Sequence, residues 1–215
     1  MRHTVSGRDP RRMMRCRLMV GLATLVAGLT INPGQRAAAF DADETFKRGS
    51  WLLSAEGGYG WQADVGSDRP FTGLEFGNVG IRVGLLPFGP AGPGFLRGAL
   101  EVGLEPLYQR YTEPVDAFYA GLAAVVRYHF LSFGRLVPYM ELAGAAGGTD
   151  LKVPEIDSNF SFLLIGGAGL SYFVADRVSL YAGYRFQHVS NARTSSPNFG
   201  VNSNTGVVGV SYFFK

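Results

Sequence analysis

From Trp51 to Phe214 the chain is patterned with a period of two. Trp51, Leu53, Ala55, Gly57, Tyr59 and Trp61 share one face of an extended segment, with Glu56 on the other. A third segment sets Leu96, Leu100, Val102, Leu104 and Tyr108 against Arg97, Glu101 and Glu105. A fourth sets Phe118, Ala120, Leu122, Ala124, Val126, Tyr128 and Phe130 against Arg127 and His129. The fifth opposes Met140 and Leu142 to Glu141, and the sixth aligns Phe162, Leu164, Ala168, Leu170 and Tyr172. The seventh opposes Val178, Leu180, Ala182, Tyr184 and Phe186 to Arg185 and Gln187, and the last opposes Val208, Val210, Tyr212 and Phe214 to Ser211. Alternation over segments of about ten residues, ending in aromatics, is the signature of strands in a transmembrane β-barrel. The second segment, 71–86, is less regular, and an apparent change of parity near Gly77 predicts a bulge there.

The expected fold is therefore all-β, an eight-stranded antiparallel transmembrane barrel over 40–215. Short turns are expected at 87–94, 131–136 and 175–177, and longer polar loops at 62–70, 111–116, 151–159 and 191–201. That alternation of links puts turns on the periplasmic side and loops outside, so the first and seventh strands run outward. Glycine, 30 of 215 residues, is about twice its usual ~7%. It lies within apolar segments such as GGYGW and GGAGL, which suits curved strands and disfavours helices. The same glycines argue against a helical span over the uncharged stretch Ser158–Ala175. A soluble barrel would need its aromatic faces inside. An eight-stranded barrel is just wide enough to be filled by side chains. The inward set Glu56, Arg97, Glu101, Glu105, Arg127, Glu141 and Arg185 is therefore expected to form an ion-pair network, not a channel.

Residues 1–39 read as a cleaved signal peptide: arginines from Arg2 to Arg17, an uncharged run Leu18–Ile31, then Ala37-Ala38-Ala39. The apolar run would rise only ~21 Å as a helix, short of a ~30 Å hydrocarbon core. Met13 and Met14 are alternative starts. This segment holds seven of the 20 Lys+Arg and one of the 17 Asp+Glu, leaving 13 basic and 16 acidic residues, net −3, in 40–215. The basic pI of about 9.1 thus belongs to the leader and gives no reason to expect a nucleic-acid partner. The single cysteine, Cys16, lies in the leader too, which excludes disulfides and thiolate metal sites from the mature chain.

Continuing the parity of the seventh segment beyond Phe186 reaches His188 and then Ser190, both on the lipid-facing side at the upper end of an outward-running strand. Residues two apart on a strand face are ~6.6–7 Å apart at Cα, within reach of a hydrogen bond between imidazole and hydroxyl. By themselves they also read as interfacial polar residues where a strand leaves the bilayer. In the last segment, counting up from Val210 and Val208 brings Asn202 to the same face of the neighbouring strand. A hydroxyl, an imidazole and an amide then converge, the set needed for a nucleophile, its base and a group that orients the base.

The run His188-Val189-Ser190-Asn191-Ala192, followed by Pro197-Asn198-Phe199-Gly200, resembles the active-site segment of PagL-type outer-membrane lipid A 3-O-deacylases. Glu105-Pro106, Pro138-Tyr139 and the terminal hairpin extend the resemblance over most of 40–215, and Val210–Phe214 is similar to an outer-membrane assembly signal, here followed by Lys215. The resemblance implies hydrolysis of the 3-O-linked acyl ester of lipid A on the outer wall of the barrel, without a cofactor or metal. It makes Ser190 the nucleophile, His188 the general base and Asn191 an oxyanion partner together with nearby backbone N–H groups. Strand parity alone turns Asn191 inward, so that role requires the strand to end before it. PagL has a glutamate where this chain has Asn202, which orients an imidazole but stabilises an imidazolium less.

The leading expectation is thus an outer-membrane serine esterase acting on lipopolysaccharide in the outer leaflet, with Arg193 and Lys152 on outer loops meeting substrate phosphates. A non-catalytic structural or adhesive barrel is the alternative that Asn202 favours, and an acyl transferase or phospholipase barrel is a third. Expected partners are lipid A and the outer-membrane assembly machinery, with a homodimer allowed and no nucleic acid.

Overall fold

In the computed structural model, residues 40–66 and 69–214 are described; the leader read over 1–39 and Lys215 lie outside them. A single turn of helix, α1 (Ala42–Thr45), is capped by Asp41, whose carboxylate accepts from the N–H groups of Asp43 (2.9 Å) and Glu44 (3.2 Å). Eight long strands follow: β1 (Trp51–Gln62), β2 (Glu75–Leu85), β3 (Gly98–Glu113), β4 (Ala117–Phe130), β5 (Leu136–Thr149), β8 (Phe160–Ala175), β9 (Val178–Ser190) and β10 (Val201–Phe214). They close into an antiparallel barrel in the order β1-β10-β9-β8-β5-β4-β3-β2. The seam pairs Trp51 with Phe214, whose rings stack at 3.7 Å. Two further strands, β6 (Lys152–Val153) and β7 (Ile156–Asp157), form a small hairpin within the β5–β8 loop, where the sequence suggested only a loop.

The expected alternation of short and long links has two exceptions. The β2–β3 link runs over 86–97, as long as the β1–β2 loop, with Leu96 in a turn before the strand. The β3–β4 link shrinks to 114–116 because these strands stay paired as far as Tyr111 and Ala117. Outward positions carry the apolar wall: Val79, Ile81, Val83, Leu122, Leu142 and Leu164 are all more than half exposed. Such a surface is stable only against lipid.

The interior is filled in three layers. At the turn end Phe46 is fully buried among Leu52, Leu86, Leu131, Val137, Phe173 and Phe213. At the loop end Leu74, Phe76, Tyr111, Tyr119, Leu151, Ile156 and Leu163 form a second apolar cluster. Between them lies a charged belt. Arg82 Nη1 donates to Glu105 at 2.9 Å, Arg127 Nη2 to Glu141 at 2.6 Å, and Arg185 Nε to Glu141 at 2.6 Å, while Arg185 also pairs with Glu56. His129 Nε2 lies 2.8 Å from Glu101.

Two inward expectations are corrected. Arg97 is not in the belt: it sits in the turn before β3 and pairs with Asp43 of α1. Its place is taken by fully buried Arg82 on β2. Nor does β2 change parity near Gly77. Even positions from Phe76 to Gly84 face inward throughout, and the register slips one step earlier, between Glu75 and Phe76 on the β3 side. Phe76 looked like a wall residue because it is apolar, but it faces the apolar cluster at the loop end.

Candidate active site

The site is built where β9 and β10 leave the wall. Asn202 is the direct cross-strand partner of His188, and on the other side of β9 the partners of His188 and Ser190 are Leu164 and Phe162. His188, Ser190 and Asn202 are each half-buried on the outward face, as parity required. The Asn202 amide oxygen lies 2.8 Å from His188 Nδ1. With an oxygen facing it, Nδ1 is the donor, so the neutral ring keeps its lone pair on Nε2, the tautomer a general base needs. Among the described residues no hydrogen bond yet joins Ser190 to His188. Such contacts are often long before substrate binds.

The ring is held from a third side by Gly200, whose backbone has φ +74°. A Cβ there would stand 2.6 Å from His188 Cε1 and 3.0 Å from Nε2, so only glycine lets the chain pass this close. Nothing in the sequence marked Gly200 as more than part of a motif.

β9 ends at Ser190, so Asn191 is free of strand parity. It is fully buried and organises the following loop. Its Nδ2 donates to Ser195 O (3.1 Å), Ser195 Oγ (2.8 Å) and Pro197 O (3.2 Å), and its Oδ1 accepts from Arg193 N (2.9 Å). Ala192 and Arg193 then take positive φ of 52° and 65°, a turn that lifts the chain off the wall just after Ser190. The side chains of Arg193 and Lys152 are exposed on the loops; Lys152 lies 3.9 Å from Asp157. No described contact joins either to His188 or Ser190.

The sequence profile of the family described as lipid A 3-O-deacylase (PagL) matches residues 37–211. The chain belongs to the PagL family. It is an outer-membrane protein of the β-barrel type. The crystal structure of the outer-membrane enzyme PagL superimposes with TM-score 0.54 at 19% identity, covering 74% of this chain and 97% of that one. Neisserial surface protein A gives TM-score 0.53 at 19% identity, over 78% of this chain and 100% of that one. At such identities these two likenesses establish the closed barrel. No curated sequence matches the chain. In this PagL-family barrel the matched region contains the whole of β9 and the His188–Asn202 pair.

Proposed function

We propose that the protein is an outer-membrane serine esterase that removes the 3-O-linked acyl chain of lipid A. The observation that carries this reading is the 2.8 Å contact between His188 Nδ1 and Asn202 Oδ1, made on the lipid-facing wall with Ser190 two residues along the same face. Family membership supplies the substrate class. Ser190 Oγ attacks the ester carbonyl as His188 Nε2 takes its proton; the alkoxide leaves with that proton, and a water activated by the same nitrogen hydrolyses the acyl-enzyme. Asn202 keeps the imidazole in the required tautomer. Asn191 shapes the turn after Ser190; its own N–H and those of Arg193 and Thr194 are already bonded within the loop, so the Ala192 N–H is the one assigned to the oxyanion. Phe162, Leu164 and Phe186 are exposed around the pair and suit the acyl chain of a substrate that stays in the leaflet. Arg193 and Lys152 are assigned to its phosphates.

The rival, a barrel that keeps the fold without the chemistry, draws on the amide at 202. Lipid A mass spectrometry from cells expressing wild type or Ser190→Ala separates the two. Loss of a 3-hydroxyacyl group in wild type alone supports the esterase, and unchanged lipid A in both eliminates it.

A further inference from the structure

Among the described residues, the loop end contains one buried carboxylate outside both the charged belt and the candidate site. Glu155 forms the tip of the β6–β7 hairpin and is 1% exposed. Its Oε1 accepts from Gln62 Nε2 (2.8 Å) and Thr72 N (2.6 Å), and its Oε2 from Thr72 Oγ1 (2.6 Å). Its backbone oxygen accepts from the N–H groups of Phe199 (2.8 Å) and Gly200 (3.2 Å). One residue thus joins three loops that are far apart in the chain.

Two of those loops touch a member of the site, and the third reaches Ser190 through Asn198 and Asn191. Gly200 lies against the His188 ring. Ile156, next to Glu155, bridges Asn198, whose Oδ1 accepts the N–H of Asn191 at 3.0 Å, immediately after Ser190. Ala63, next to Gln62, donates its N–H to the Asn202 carbonyl at 2.8 Å. We infer that Glu155 is a positioning residue for ester hydrolysis: by tying the three outer loops together it fixes the mutual placement of His188, Ser190 and Asn202 without touching substrate. This rests on the reading of those three residues as the reactive group. A carboxylate suits the role because it accepts several hydrogen bonds at once, where an amide offers one accepting oxygen. Side chains on strand ends are set by the paths of their loops, and a displacement of about 1 Å at a reacting group is enough to cost about 100-fold in rate.

The test uses full-length protein refolded in micelles with lipopolysaccharide as substrate, comparing wild type, Glu155→Ala, Glu155→Gln and Thr72→Val. Barrel folding is checked by heat-modifiable gel migration. In folded Glu155→Ala, kcat is expected to fall about 10- to 100-fold with KM little changed, and Glu155→Gln and Thr72→Val are expected to fall between it and wild type. In the same samples the His188 imidazole resonances, followed by NMR, should shift or broaden while those of interior His129 stay fixed. The NMR arm stands whether or not wild type hydrolyses lipid A, so a failure of the esterase reading is told apart from a failure of this one. Unchanged His188 signals in every folded variant overturn the inference, as does a change confined to KM. If Glu155→Ala does not fold, Glu155→Gln and Thr72→Val decide by the same criteria.

Discussion

Gly200 packs against the edge of the His188 ring that carries Nε2, with a hypothetical Cβ only 2.6 Å from Cε1. Gly200→Ala therefore has two effects. It forces an L-residue to φ +74°, at about 1–2 kcal/mol, and it displaces the imidazole from the position it holds against Asn202. The barrel should still fold, and lipid A deacylation should fall by about 100-fold, measured as fatty acid release against a gel-shift folding control.

Asn202 supplies an oxygen to His188 Nδ1 but no charge. Asn202→Glu should keep or raise activity, because a carboxylate also stabilises the imidazolium formed during attack. Asn202→Leu should lower kcat by about 10- to 1,000-fold by releasing the tautomer. Initial rates on purified lipopolysaccharide check both. A large loss in Asn202→Glu would assign Asn202 a different role.

Arg82 and Ile81 are neighbours with opposite surroundings. Arg82 is fully buried in the belt beside Glu101 and Glu105, and Ile81 is 56% exposed on the wall. Arg82→Ala removes the guanidinium that Glu101 and Glu105 share and should cost about 3–5 kcal/mol in urea unfolding from bilayers. Ile81→Arg, despite its exposed position, should cost about 2–4 kcal/mol in the same assay because lipid, not water, faces it.

The stability contribution of Glu155 depends on pH. Burial alone would raise its pKa, but hydrogen bonds from Gln62 and Thr72 outweigh that and hold the carboxyl below its ordinary range. With the folded pKa lower than the unfolded value of about 4.3, the stabilisation is complete above that value and disappears as pH falls through the folded one. Thermal melts between about pH 6 and pH 3 should show this acid-side loss in wild type, with a smaller slope in Glu155→Gln.

The barrel strands were legible because each wall position alternates between lipid and a filled interior, and His188, Ser190 and Asn202 followed by counting along two strands. Arg82 was missed because the interior is polar only in its middle. Phe76 points into the apolar layer above it, so an inward residue looked like an outward one. Glu155 and Gly200 were hidden for a different reason. The partners of Glu155 lie 83 and 93 residues away, and the contact of Gly200 depends on a loop path that no periodicity encodes.

The layers that close both ends of the barrel also make it an insulator. Phe46 and its neighbours seal the turn end, Phe76, Tyr111 and Ile156 seal the loop end, and the arginines between them are locked to carboxylates. An ion entering the lumen would have to displace two apolar layers and break a paired belt. Planar bilayers carrying this protein should therefore stay at baseline conductance, and a lipid that reaches the outer wall must come to it sideways, within the leaflet, not through the lumen.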